Sequence, residues 1–348
     1  MNLFQKALRG QNSDSRPPVW LMRQAGRYHS HYQKMKQKHT FMELCKIPEA
    51  ACETTLGPIR DFDFDAAILF SDLLFPLEAL GMGLRYEPGP QLDWHLQSRD
   101  DVKKLNPGGV KLLERLSFQA EAMKLIRREL DPAKGLLGFV GGPVTLFAYA
   151  VEGSHAGGLQ STRAGLTDGR FEAFNDCLLE LLAQNMALQA RAGADTIAVL
   201  DTCAGEFDAP TYREKIVPSL RALFERFHQL CPETPISYYS KKTGPAHWEA
   251  LQGLPIAVKG IDWNTDLSSV LTNWSSRWGI QGNVDPEWLF LPSSELESRL
   301  RHYWGKVAAL PKETRRGWVC GLGHGVMQKT PEENVRLFVK IQREMFLP

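Results

Sequence analysis

A chain of 348 residues, 43% hydrophobic and 23% charged, has the composition of a folded globular protein long enough to bury a large core. Its 41 basic and 40 acidic side chains nearly cancel, so no overall field draws it to nucleic acid or an acidic membrane. Any anionic ligand must be held by local charge. No stretch nears the roughly 18 consecutive apolar residues of a membrane span. Met1 to Gly10 lacks a signal-peptide core, and the six cysteines, with no C-x-x-C pair, read as reduced thiols. The expectation is a cytoplasmic protein with neither a nucleic-acid nor a membrane partner.

Eight short apolar or β-branched runs read as buried strands: 18–23, 66–71, 136–141, 196–201, 235–240, 256–262, 278–283 and 317–322. Helical patterns separate most of them. Phe174, Cys177, Leu178, Leu181, Leu182 and Met186 share one stripe of a helix predicted over 171–191. Tyr212, Ile216, Leu220, Leu223 and Phe227 do the same over 210–229. A last helix over 331–346 is expected to open with Thr330 as N-cap, Pro331 at the first helical position and Glu333 three residues on. The gaps 24–65 and 72–135 are too long for one helix each. They should hold extra helices or a covering loop, with a break at Pro88-Gly89-Pro90. Strands alternating with helices point to the α/β class and a single (β/α)8 TIM-type barrel over 1–348, with extra N-terminal helices and loops over the C-terminal face. An open doubly wound sheet fits the same pattern.

Arg23, Asp72, Thr202 and His324 each fall at or just past the C-terminal end of a predicted strand, the face on which α/β barrels assemble their sites. Arg23 and Arg27 bracket Gln24-Ala25-Gly26 after the apolar run Val19 to Met22. Always-charged planar guanidiniums can grip a carboxylate with two hydrogen bonds. Gly26 reads as a close approach to a ligand or as a φ other residues avoid. Asp72 ends a run too apolar for an unpartnered carboxylate. On its own it reads as a helix N-cap after a βα turn, or as a carboxylate that needs other donors. Tyr149 reads as a half-buried packing residue and Thr202 as a strand-end hydroxyl bonding the local backbone. His324, between Gly323 and Gly325, marks a tight turn or a ligand approach.

The stretch Pro18 to Tyr28 resembles the signature of the uroporphyrinogen decarboxylase family. Phe70-Ser71-Asp72, Gly138 to Pro143, Asp201-Thr202, Gly260-Ile261-Asp262-Trp263, Gln281-Gly282-Asn283 and Gly323-His324-Gly325 follow in that family's order. Each motif is weak alone; the ordered set is specific and spans nearly the whole chain. The resemblance implies stepwise decarboxylation of the four acetates of uroporphyrinogen III to methyls, giving coproporphyrinogen III and CO2, with no metal or other cofactor. It implies a tetrapyrrole as substrate and a homodimer. It makes Asp72 the acceptor for pyrrole N–H groups and the electrostatic partner of the protonated ring. It places Arg23, Gln24, Ala25, Gly26, Arg27, Tyr149, Thr202 and His324 around the substrate, with Arg23 as the family's candidate acid. A guanidinium is a poor acid, so water and a substrate carboxylate remain rivals. The family's proline soon after Gly-His-Gly is absent; the chain reads Val326-Met327-Gln328-Lys329-Thr330-Pro331.

Two other readings compete. A zinc-dependent corrinoid or thiol methyltransferase of the same superfamily would carry a His-x-Cys pair near the fifth strand, whereas Pro235 to Lys242 holds neither ligand. A non-catalytic tetrapyrrole carrier would share the binding groups but has less need of Asp72.

Overall fold

The computed structural model describes residues 1–14, 16–86, 89–106, 110–154 and 157–346. In chain order its strands are β1 (Ala66–Ile68), β2 (Arg85–Tyr86), β3 (Pro90–Gln91), β4 (Gly135–Gly141), β5 (Thr196–Leu200), β6 (Ile236–Tyr239), β7 (Val258–Gly260), β8 (Gly279–Val284) and β9 (Trp318–Leu322). Seven of them form one parallel sheet in the order β1-β4-β5-β6-β7-β8-β9, while β2 and β3 pair as a short antiparallel ribbon. Every residue of β4 is buried, as a parallel strand covered on both faces requires. Phe4, Trp20, Ala66, Leu137, Ala198, Val258 and Val319 share one apolar cluster, so the sheet curls around its own interior. The helix Leu3–Leu8 plugs that interior from below: Phe4 occupies the space a Cβ on Gly135 would need, 2.2 Å away.

Seven of the eight expected strands are present in the sheet. The eighth expectation, 18–23, is corrected: it forms one parallel bridge, Val19 with Cys320, and no strand. Its main chain nevertheless bonds to both sheet edges. Cys320 N donates to Pro18 O at 2.8 Å and Trp20 N to Cys320 O at 3.0 Å, while Asp65 N donates to Val19 O at 2.9 Å. Asp65 fixes this seam further, gripping Arg16 through two bonds of 2.7 and 2.8 Å and accepting Val19 N at 2.8 Å. Pro18 costs the segment one ladder donor and Pro17 removes the one before it, which explains why it holds position without becoming a regular strand.

The long gaps hold helices, as expected: Ser30–Lys36, Phe41–Lys46 and Pro48–Phe62 in the first, Phe75–Ala79 and Ser117–Glu129 among those in the second. Pro88 of the expected break lies outside the described residues. The stripe of the 171–191 prediction is a helix, Arg170–Arg191. The 210–229 prediction is a continuous helical run over 209–230, with a wide turn at Tyr212–Ile216 just before Pro218, which cannot donate into the ladder. The last helix is Glu332–Met345 with Pro331, and not Thr330, at the cap. Glu332 instead accepts the Ser30 N–H at 2.5 Å, tying the chain's end to the segment beyond Arg27.

Candidate active site

Asp72 stands just past β1, and its Oδ1 accepts the Leu74 N–H at 2.9 Å. The local-turn role read from the sequence is therefore real, but it occupies one lone pair of a carboxylate that can accept several bonds. The Tyr86 hydroxyl, buried and with no other hydrogen-bond partner among the described residues, faces the same carboxylate from the β2–β3 ribbon. Part of Asp72 stays open, yet dense packing desolvates it and pushes its pKa up. Tyr86, the Leu74 N–H and the Arg23 charge pull it back toward ionisation.

Arg23 approaches from the segment that bonds both sheet edges. Its φ is +61°, a left-handed conformation unusual for a side-chain-bearing residue. The Gly26 expectation shifts accordingly: the unusual φ belongs to Arg23, while Gly26 keeps its Cβ position 3.1 Å from Arg23 O. Arg23 and Arg27 are both exposed, and neither makes a salt bridge among the described residues. Gln24 turns its side chain into the fold, donating from Nε2 to Ala66 O at 3.3 Å, and Ala25 is half-buried. Between its two arginines the turn offers a ligand main chain and not side-chain groups.

Tyr149 rides on the helix Pro143–Glu152 that follows β4. Burial pushes its hydroxyl up to about 12, with Cys203 and Asp72 adding to the shift and Arg23 opposing it. Asp72, Tyr149 and Arg23 thus lie within one another's electrostatic reach, although they come from three separate segments. Thr202 opens the turn Thr202–Glu206 directly after β5. Buried Asp201 locks these two segments together. Its Oδ1 accepts the Thr145 N–H at 2.9 Å near the start of the Tyr149 helix, and Thr145 Oγ1 accepts Cys203 N–H at 3.0 Å. Gly142 is obligatory there, since a Cβ would sit 2.2 Å from Asp201 Cγ.

His324 lies two residues past β9 and stacks on Tyr239 with ring centroids 5.9 Å apart and planes at 13°. The glycines beside it make room for protein and not for ligand. A Cβ on Gly325 would meet Arg23 Cδ at 2.4 Å, and one on Gly323 would meet Trp263 N at 2.6 Å. Val326 N donates to Met22 O at 2.9 Å, so the loop lacking the usual proline is still docked on the arginine turn. The remaining motifs are scaffold: Asn283 Nδ2 donates to Asp262 O and Thr265 O, both at 2.8 Å.

The family model for uroporphyrinogen decarboxylase (URO-D) matches residues 1–345. The chain belongs to the uroporphyrinogen decarboxylase family. It is 32% identical to the uroporphyrinogen decarboxylase of Carboxydothermus hydrogenoformans, covering 98% of this chain and 96% of that protein. With the Solibacter usitatus enzyme the identity is 34%, over 98% and 96%. With uroporphyrinogen decarboxylase 1, chloroplastic, of Oryza sativa subsp. japonica it is 33%, over 99% and 84%. Among solved structures, a methyltransferase from Methanosarcina mazei shares the fold with a TM-score of 0.78 at 19% identity, covering 99% of this chain and 100% of that one. That likeness is one of architecture. The family model and the named relatives are those of the decarboxylase, so the methyltransferase alternative gains nothing beyond shared architecture.

Uroporphyrinogen decarboxylase family motifs therefore divide by role in this chain. Arg23, Asp72, Thr202 and His324 come to one rim and Tyr149 joins them from its helix; Gln24 and the motif glycines pack inward. Two neighbours were missed from sequence. Tyr86 sits in a two-residue ribbon with no periodic signal, and Tyr239 reads simply as an apolar strand position.

Proposed function

We propose that this chain is a uroporphyrinogen decarboxylase that removes CO2 from the four acetates of uroporphyrinogen III, giving coproporphyrinogen III. The observation that carries the reading is the convergence of Asp72, Tyr149 and Arg23 within one electrostatic environment, in a chain of this family. Asp72 accepts hydrogen bonds from inward-pointing pyrrole N–H groups. Its fixed negative charge then stabilises the cation formed when a pyrrole carbon takes up a proton. That cation is an electron sink: the C–C bond electrons of the acetate flow into the ring and CO2 leaves. The methylene carbon then takes a proton and the ring proton is lost, leaving a methyl. Arg23 and Arg27 pair with substrate carboxylates, and Thr202 and His324 donate hydrogen bonds to others. The Tyr149 hydroxyl, held protonated by its raised pKa, donates a hydrogen bond and not a proton. Arg23, water or a substrate carboxylate supplies the proton.

The same reading takes residues 18–23 as an eighth stave closing the barrel, supported by their bonds to both β1 and β9 sides of the sheet. It also takes 1–348 as one domain, a homodimer and a cytoplasmic setting; no described helix is long and apolar enough to cross a membrane. Anaerobic incubation of the pure protein with uroporphyrinogen III, followed by separation of products by carboxylate number, tests the function. Stepwise appearance of species with seven to four carboxylates is expected. Unchanged substrate that stays bound to the protein would instead favour the carrier.

A further inference from the structure

One cation past the strand ends has no assigned task. Lys241 follows β6 by two residues, and Trp263 follows β7 by three. The Lys241 Nζ lies 5.1 Å from the Trp263 ring centroid, and among the described residues it makes no ion pair with a carboxylate. Its neighbour behaves differently, since Lys242 Nζ is paired with Glu206 Oε1 at 2.8 Å.

The pair occupies the space between two loops already placed at the site. On one side, a Cβ on Gly205 would sit 1.7 Å from Lys241 O, so Lys241 packs directly on the turn headed by Thr202. On the other, Trp263 N abuts Gly323, next to His324. The loop is also held still. Lys242 N donates to Asp262 Oδ2 at 2.6 Å, and the Ser240 and Thr243 hydroxyls meet at 3.0 Å. In the sheet order, β6 stands three places from β1, so this charge lies on another sector of the rim from Asp72.

Resting on the decarboxylase reading, we infer that Lys241 is a further substrate-binding residue, gripping a carboxylate of the tetrapyrrole between Thr202 and His324. A substrate with a carboxylate on every side arm needs cations around the whole rim, and Arg23 and Arg27 share a single turn. Stacking on Trp263 restricts the ammonium without neutralising it, which leaves its charge for a ligand.

The test compares Lys241→Gln, Lys241→Arg and Lys242→Gln with the wild-type protein on anaerobic uroporphyrinogen III. Thermal melts confirm folding, and equilibrium binding of uroporphyrin by fluorescence gives a readout independent of turnover. Lys241→Gln is expected to raise KM and the uroporphyrin Kd about tenfold with kcat within about twofold, as loss of one charged hydrogen bond predicts. Lys241→Arg should restore most of the affinity, and Lys242→Gln should change neither constant. An unchanged KM and Kd in a folded Lys241→Gln protein, or an equal loss in Lys242→Gln, overturns the assignment of Lys241 alone. Absence of turnover in the wild-type protein overturns the decarboxylase reading, with the binding comparison still deciding whether Lys241 holds the porphyrin.

Discussion

At the residue scale, the balance at Asp72 decides whether the site can work near neutral pH. Burial raises the Asp72 pKa, and Tyr86 opposes that rise. In the proposed function the ionised form accepts the pyrrole N–H groups, so activity should fall as pH drops through the Asp72 pKa. Tyr86→Phe removes a stabiliser of the carboxylate, and the acid limb of the kcat/KM profile should move to higher pH. A pH–rate comparison in which that limb stays put contradicts the role given to Tyr86. The proposed function makes Thr202 and His324 donors to carboxylates that persist through the reaction. Thr202→Ala and His324→Ala should therefore raise KM more than they lower kcat, which steady-state kinetics can read directly. The placement of Asp72 at a strand's end was legible because a carboxylate after Ala66 to Ser71 is out of place without donors. Tyr86 was not, because its proximity depends on how the β2–β3 ribbon folds over the rim.

At the scale of elements, close approach explains the glycines better than backbone freedom does. Gly325 lacks a positive φ, but Arg23 runs over it so tightly that Cβ, Cγ and Cδ all lie within 3.1 Å of an added methyl. Gly325→Ala should displace Arg23 while leaving the helices and sheet intact. A loss of about tenfold to a hundredfold in kcat/KM with a native circular dichroism spectrum is expected. Wild-type kinetics in that variant would show Arg23 free to adjust. The sequence showed the elements themselves wherever a long pattern specified them, as at 171–191 and along β4. It misjudged one cap, since Pro331 takes the position expected of Thr330, and it did not show the wide turn before Pro218 in an otherwise continuous helix. Residues 18–23 look like a strand by composition, but Pro18, preceded by Pro17, and their place between β1 and β9 limit them to one bridge.

Across the whole molecule, function is carried by ties between distant parts of the chain. Gln342 Nε2 donates to Pro17 O at 2.8 Å, and Asp65 holds Arg16 and Val19, so the arginine turn rests on both chain ends and on β1. One buried charge works against this stability. Lys259 on β7 is fully buried beneath the Tyr238 and Trp248 rings, at 5.3 and 5.9 Å, and burial pushes its pKa down to about 7 against the pull of Asp262. The unfolded chain then holds a proton that the folded protein lacks between about pH 7 and 10, so this group makes stability rise with pH in that window. Lys259→Met should stabilise the protein by about 1–4 kcal/mol near pH 7. The gain should shrink steadily toward about pH 10, where the lysine is neutral in both states. Melting curves at several pH values check this, and a gain independent of pH would contradict it. The gross architecture and the rim were legible from strand–helix alternation and motif order. The sheet's seam was not, because it depends on tertiary hydrogen bonds between residues hundreds of positions apart.

The most direct measurement of the central claim is turnover of anaerobic uroporphyrinogen III by Asp72→Asn beside the wild-type protein, with uroporphyrin binding measured on both. A fixed anion beneath the protonated ring predicts that the variant folds and binds but loses about a thousandfold in kcat. Near-normal turnover by a folded Asp72→Asn protein would contradict the account.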